Sequence, residues 1–167
     1  MKIVLFAGLM VKRKGIGKIL RIAGLLPDIT FWLLGDGPLR KRYEKRAARN
    51  VTFFGWHNDM SLFYKAADVF LLPSDGEGLP GVVMESMSYG IPCVASDIPC
   101  VPDLIDDGVN GYLCDKDNIE EFAMRIKELT DDEKKRKRFG KAAQNKMKKF
   151  DWNLIVKKYE ELYEVLL

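Results

Sequence analysis

Histidine occurs once, as His57, and cysteine three times, as Cys93, Cys100 and Cys114. An odd number of cysteines without C-x-x-C spacing argues against a disulfide framework and against a zinc site. They read as reduced thiols, with Cys93 in the core. No stretch approaches the roughly 20 apolar residues that span a bilayer. No charged leader with a cleavage site precedes the first strand at Lys2, so the expected compartment is the cytoplasm. Net charge is only +3, which gives no reason to expect nucleic acid as a partner. A G-x-G-x-x-G after the first strand is missing, because Gly15-Ile16-Gly17 runs on into a helix, and G-x-x-x-x-G-K-[ST] is missing altogether. Dehydrogenase and P-loop ATPase chemistry are therefore set aside. Repeats, low-complexity tracts and linkers are absent. With 167 residues, 47% of them hydrophobic, residues 1–167 are expected to bury one core as a single domain.

What is present is an alternation of short Val/Ile/Phe-rich runs with helix-period segments. Strands are expected near 2–7, 29–34, 51–54, 68–72, 91–95 and 112–114, and helices near 15–26, 38–48, 58–66, 81–89, 118–130, 132–148 and 152–166. The strands are almost continuously apolar, as in Ile3-Val4-Leu5-Phe6 and Val69-Phe70-Leu71-Leu72, which is the pattern of strands covered on both faces. The expected fold is α/β: a Rossmann-like, doubly wound parallel sheet of about six strands with helices on both faces. Pro38 suits a first helical position. Asp117 with Glu120 reads as a capping box, and this use of Asp117 counts against Asp115-Lys116-Asp117 as a metal-binding pair. The last helix is expected to bury Trp152, Val156, Tyr159, Tyr163 and Leu166 along one stripe. The basic run from Lys134 to Lys149 reads first as a solvated helix face; contact with anionic lipid at the inner face of a membrane, or with an acidic substrate, is the alternative.

In such a sheet, ligands bind beyond the carboxyl ends of the strands where the strand order reverses. With order 3-2-1-4-5-6 the crevice lies between strands 1 and 4, whose loops are Gly8 to Lys14 and Pro73 to Gly81. The first places Lys12, Arg13 and Lys14 ahead of a helix beginning at Gly15, a combination of cations and free N–H groups suited to a diphosphate. The second, Ser74-Asp75-Gly76-Glu77-Gly78-Leu79-Pro80-Gly81, enters a helix at Val82 with Glu85 on its first turn. Its glycines let backbone approach a ligand closely, and the N–H groups of Gly78, Leu79, Gly81 and Val82 are candidate donors, whereas Pro80 has none. Glu77 and Glu85 flank that backbone, and a carboxylate accepts from two vicinal hydroxyls at once, as a ribose or hexose requires.

The segment from Glu77 to Ser96, EGLPGVVMESMSYGIPCVAS, resembles the E-x7-E signature of retaining group 1 (family 4) glycosyltransferases of GT-B fold. The spacing alone is weak, since Glu120 and Glu128 also stand eight apart. The surrounding strand, E-G-x-P loop and E-x-M-x-x-G-x-P-x-V-A-S run make it specific. Gly8 with Lys14-Gly15, Gly35-Asp36-Gly37-Pro38, Val51-Thr52-Phe53-Phe54-Gly55, Pro102-Asp103-Leu104-Ile105, Asp107-Gly108 and Asn110-Gly111 follow the family pattern in order, over nearly the whole chain. Leu9 stands where the family usually has Arg, and Asp103 where it usually has Glu.

The resemblance implies the carboxyl-terminal, donor-binding half of a GT-B enzyme, with the amino-terminal acceptor domain absent or carried by a partner subunit. It implies a UDP- or GDP-sugar as donor and retaining transfer of a hexosyl group, mannosyl included, to a glycan or lipid-linked acceptor in polysaccharide biosynthesis, without a cofactor or metal. By the same resemblance Glu85 would bind the ribose, Glu77 the transferred sugar and Lys14 the diphosphate, with Lys12 or Arg13 compensating for Leu9. Gly35, Asp36, Gly37, Gly55 and Trp56 would border the base. Reading Glu77 and Glu85 as a glycosidase pair is rejected, because the helix start between them sends Glu85 toward the ribose in the matched family. His57 reads as a surface or base-edge residue. A module that binds nucleotide sugar or docks a partner without catalysis, which Leu9 would favour, and half of a sugar-nucleotide 2-epimerase are the alternatives.

Overall fold

The computed structural model describes residues 1–166. Six strands, β1 (Ile3–Ala7), β2 (Thr30–Leu34), β3 (Val51–Gly55), β4 (Val69–Leu72), β5 (Cys93–Ser96) and β6 (Gly111–Cys114), form one sheet in the order β3-β2-β1-β4-β5-β6. Every pairing is parallel. The central strands β1 and β4 are buried along their whole length, as their unbroken apolar sequences require.

Helices α1 (Ile16–Leu25), α2 (Arg40–Glu44), α3 (Ser61–Ala66), α4 (Gly81–Ser88), α5 (Ile119–Asp131), α6 (Glu133–Met147) and α7 (Trp152–Leu166) complete the chain. The core divides into two clusters, one on each face of the sheet. On one side Val4, Phe6, Phe31 and Leu71 meet Ile16, Ile19 and Ile22 of α1 and Phe122 and Ile126 of α5. On the other, Leu5, Phe70 and Leu72 meet Tyr64 of α3, Val83 and Met87 of α4, and Ala143 of α6. Alternate residues of one strand thus serve opposite layers, the period-two rule of a pleated strand. Cys93 and Cys114 are buried and Cys100 is exposed.

Four local expectations are corrected. Helix α2 is shorter than 38–48: Pro38 lies outside it, because Gly37 N–H donates to Asp36 Oδ1 (2.7 Å) and Leu39 N–H to Met10 O (3.2 Å), holding that stretch as a turn. At its far end Asn50 spends its side-chain amide on the carbonyls of Ala23, Leu26 and Ile29, each at 3.0 Å, which draws the chain into β3. Helix α3 starts later than residue 58, after Asp59 Oδ1 accepts from Ser61 N–H at 2.8 Å. The cap of α5 is one residue further along: Asn118 Oδ1 accepts from Glu121 N–H (3.1 Å), while Asp117 N–H donates to Asp115 Oδ1 (2.9 Å).

The fourth correction concerns α7. Val156, Tyr159 and Tyr163 are exposed, at 48%, 58% and 63%, rather than buried; the side chains of Trp152 and Leu166 lie outside the described residues. The periodicity makes the helix amphipathic, but among the described residues Val156, Tyr159 and Tyr163 have no layer over them. Among the described residues, no helix is long and apolar enough to cross a membrane.

Candidate functional site

The loops leaving β1, β2, β3 and β4 converge at the carboxyl edge of the sheet and are tied by backbone hydrogen bonds. Gly8 N–H donates to Leu34 O (3.1 Å), Met10 N–H to Asp36 O (2.8 Å), Gly35 N–H to Gly55 O (2.7 Å), and Asp75 N–H to Arg13 O (2.8 Å). Two glycines permit this closeness. Gly35 (φ 113°) would place a Cβ 2.0 Å from Gly8 O, and Gly15 (φ 72°) would place one 2.0 Å from Pro73 O. Both combine a left-handed backbone with a clash against main chain, so only glycine fits.

Above this floor opens a cavity of about 370 Å³, beside the β1/β4 boundary where strand order reverses. Of the residues expected to hold a ligand, Gly8, Gly35, Asp36, Trp56, Val82 and Glu85 line it. Lys12, Arg13, Lys14, Gly37, Gly55, Glu77, Gly78, Leu79, Pro80 and Gly81 lie on the same loops or at the start of α4, outside the lining itself. His57 does border the cavity, its ring 4.8 Å from that of Phe63. Trp56 is 74% exposed and its indole N–H donates to Asn58 Oδ1 (3.0 Å), so a flat ring stands at the rim. Leu9, Asn58, Met60 and Tyr64 also line the space. Sequence reasoning did not single out the last three as site residues; they belong to no phosphate or sugar motif.

Glu85 lies one full turn into α4, later than the first-turn position expected. Its Oε2 accepts a hydrogen bond of 2.9 Å from the Tyr64 hydroxyl. Burial first, and then Glu85 itself, push the Tyr64 phenol well above its ordinary pKa, so the phenol stays a donor. The start of α4 has no side-chain cap, and while Val83 N–H donates to Pro80 O (3.0 Å), the N–H groups of Gly81 and Val82 and the positive end of the helix are open to an anion.

Glu77 is differently placed. Its side chain is only 6% exposed, and Lys14 Nζ lies 2.8 and 2.9 Å from its two oxygens. The Arg13 guanidinium approaches at 3.3 Å and also donates to Gly76 O. Burial opposes ionisation of Glu77, yet Lys14, Ser74 and Arg13 together outweigh it and hold the carboxyl below its ordinary pKa. Ser74 Oγ, though buried, completes no hydrogen bond of good geometry, so its share is the smaller beside the ion pair. Lys18 clamps the same loop through Asp75 at 2.5 Å. Lys12 is exposed. The arrangement therefore offers a carboxylate to hydroxyl groups at one end, and cations with an uncapped helix start at the other.

The sequence matches the family model described as glycosyl transferases group 1 over residues 1–146. The chain belongs to that family. It is 34% identical over 143 residues to the lipopolysaccharide core biosynthesis glycosyltransferase LpsE of Rhizobium meliloti, covering 83% of this chain and 42% of that protein. It is 31% identical over 156 residues to the sulfoquinovosyl transferase SQD2 of Arabidopsis thaliana, covering 90% and 31%. Among solved structures, a TarM variant from S. aureus in complex with Fondaparinux, alpha-GlcNAc-glycerol and UDP superposes with a TM-score of 0.90 at 28% identity, over 97% of this chain and 35% of that one. The chain thus spans about a third to two fifths of the length of these relatives.

Proposed function

We propose that this chain binds the nucleotide diphosphate sugar for a retaining hexosyl transfer, as the carboxyl-terminal half of a GT-B glycosyltransferase whose acceptor site lies in a second domain or subunit. The observation that carries this reading is the placement of Glu85 in the wall of the strand-crossover cavity, with Lys14, Arg13 and the start of α4 on the loops beside it. In this reading Glu85 accepts from the ribose hydroxyls, and Gly35, Asp36 and Trp56 border the base. Lys14, assisted by Arg13 and Lys12, together with the N–H groups from Gly78 to Val82, takes the diphosphate. Charge growing on the departing diphosphate is met by a fixed cation and helix dipole, an electrostatic role that leaves no requirement for a divalent metal. TarM, solved in complex with UDP, supports a uridine carrier; GDP-mannose is the competing donor.

A second surface supports the lipid-linked class of acceptor. Lys134, Arg138, Lys141 and Lys148 follow one another at helical spacing along the exposed side of the α6 region. Among the described residues their neighbours Lys135, Arg136, Lys137 and Lys146 have carboxylate partners, and these four have none. Such a stripe is attracted to anionic headgroups.

Calorimetry of the chain with UDP-glucose and GDP-mannose, with and without a chelator, tests the donor reading. One donor is expected to bind in either buffer, and Glu85→Ala is expected to weaken it by roughly 1–3 kcal/mol, the cost of leaving ligand hydroxyls unpaired. Unchanged binding in Glu85→Ala would remove the site assignment.

A further inference from the structure

Tyr64 comes from α3, outside every motif that points to the cavity, yet it is the polar partner of Glu85, which with Asp36 is one of two carboxylates in the cavity wall. Its side chain is buried, 2% exposed. The ring is held between α3 and α4, stacked on Tyr89 with centroids 5.1 Å apart and planes 27° apart, and tilted against Phe70 at 6.4 Å. Its hydroxyl reaches Glu85 Oε2 at 2.9 Å, and among the described residues no other side chain bonds or ion-pairs with that carboxylate. A carboxylate free on a helix surface samples several rotamers. One tethered at a single oxygen by a buried phenol is confined to one.

We infer that Tyr64 is a positioning residue for donor binding: by occupying one lone pair of Glu85 Oε2, it turns the remaining acceptor sites of the carboxylate toward a vicinal diol in the cavity. This rests on the donor reading above and deepens it. An ionised carboxylate has about four acceptor sites; the phenol takes one, which leaves enough for both hydroxyls of a ribose. The single phenolic hydrogen is spent on Glu85, so Tyr64 does not compete with the ligand hydroxyls as a donor to any other acceptor. A neutral donor also leaves the negative charge of Glu85 in place, where a lysine partner would cancel it and compete with the ligand through a stronger, charge-assisted bond.

The test measures a ratio, the affinity for a ribonucleotide sugar over that for its 3′-deoxyribose analogue, using UDP-glucose or GDP-mannose according to which binds. Wild-type protein is expected to favour the ribose form by roughly tenfold or more, and Glu85→Ala to bring the ratio near one. Tyr64→Phe, which keeps the stacked ring and removes only the hydroxyl, is expected to lower the ratio roughly three- to tenfold. Tyr64→Phe combined with Glu85→Ala should be no worse than Glu85→Ala alone. Tyr89→Leu, which removes the ring stacked on Tyr64 and leaves the Tyr64 hydroxyl in place, should leave the ratio as in wild type and so controls for a packing effect. Partial unfolding lowers the active fraction for both ligands alike and leaves the ratio intact. A full ratio in Tyr64→Phe beside a lost ratio in Glu85→Ala overturns the positioning role while the donor reading stands. A wild-type ratio of one, with Glu85→Ala neutral, overturns both.

Discussion

Glu77 and Glu85 stand eight residues apart in one motif, and the fold gives them opposite surroundings. Glu77 is almost fully covered and satisfied by Lys14 at 2.8 Å and Arg13 at 3.3 Å. Glu85 faces a cavity and is held by one neutral hydroxyl at 2.9 Å. Environment, more than residue type, decides what a carboxylate can do. Glu85 has acceptor sites left for a ligand. Glu77 has already spent its charge on Lys14 and Arg13, so under the proposed function the diphosphate exchanges with it, taking over part of Lys14.

The heaviest blow to this contrast is Gly15→Ala. The new Cβ meets Pro73 O in a left-handed backbone, which costs about 1–3 kcal/mol in strain alone and drives the β1 and β4 loops apart. Thermal melting should fall and donor binding should drop below detection, while Gly24→Ala, with open space around it, should leave both intact. Retained binding in Gly15→Ala would show that the two loops need not be docked.

Glu77→Gln is the sharper instrument. It removes the charge that competes for Lys14, so a nucleoside diphosphate without sugar should bind about two- to fivefold more tightly, the scale of a partly screened ion pair. Binding of the full nucleotide sugar should gain less, if Glu77 holds the transferred sugar as the family resemblance implies. Glu85→Gln should weaken both ligands together. If the two variants behave alike in calorimetry, the division of labour drawn here is wrong.

A smaller effect is expected with pH. Because the folded protein holds Glu77 below its ordinary pKa, the unfolded chain binds a proton there first on acidification. The ion pair therefore contributes its full stability above the unfolded value of about 4.3, and loses it as pH falls through the lower folded value. Denaturation followed between pH 6 and 3 should show a shallower loss of stability in Glu77→Gln than in wild type.

Much of the architecture was legible because parallel strands buried on both faces announce themselves as unbroken apolar runs, and all six lie within two residues of their expected positions. Boundaries set by loop contacts were not. Leu39 donating to Met10 O and Asn50 bridging three carbonyls involve partners far along the chain, so the start and end of α2 carry no local signature. Asn118 outcompeted Asp117 as cap because both residues cap well and only the geometry of the turn separates them. At the site, Gly8, Gly35 and Glu85 could be placed from the β1/β4 crossover rule and the motif. Tyr64 could not: it is one aromatic among several on a short helix, and only packing against Tyr89 and Phe70 brings its hydroxyl to Glu85.

The order of apolar runs and turns by itself determined the six-stranded parallel sheet, the crossover between β1 and β4, and the two carboxylates placed there, since these follow from local periodicity and chain connectivity. Tertiary structure alone decided which carboxylate is neutralised and which stays open, that Tyr64 reaches Glu85, and that Val156, Tyr159 and Tyr163 of α7 are exposed among the described residues. The physical reason is distance: charge pairing, desolvation and burial depend on what lies within a few ångströms in space, and those neighbours are tens of residues away in sequence.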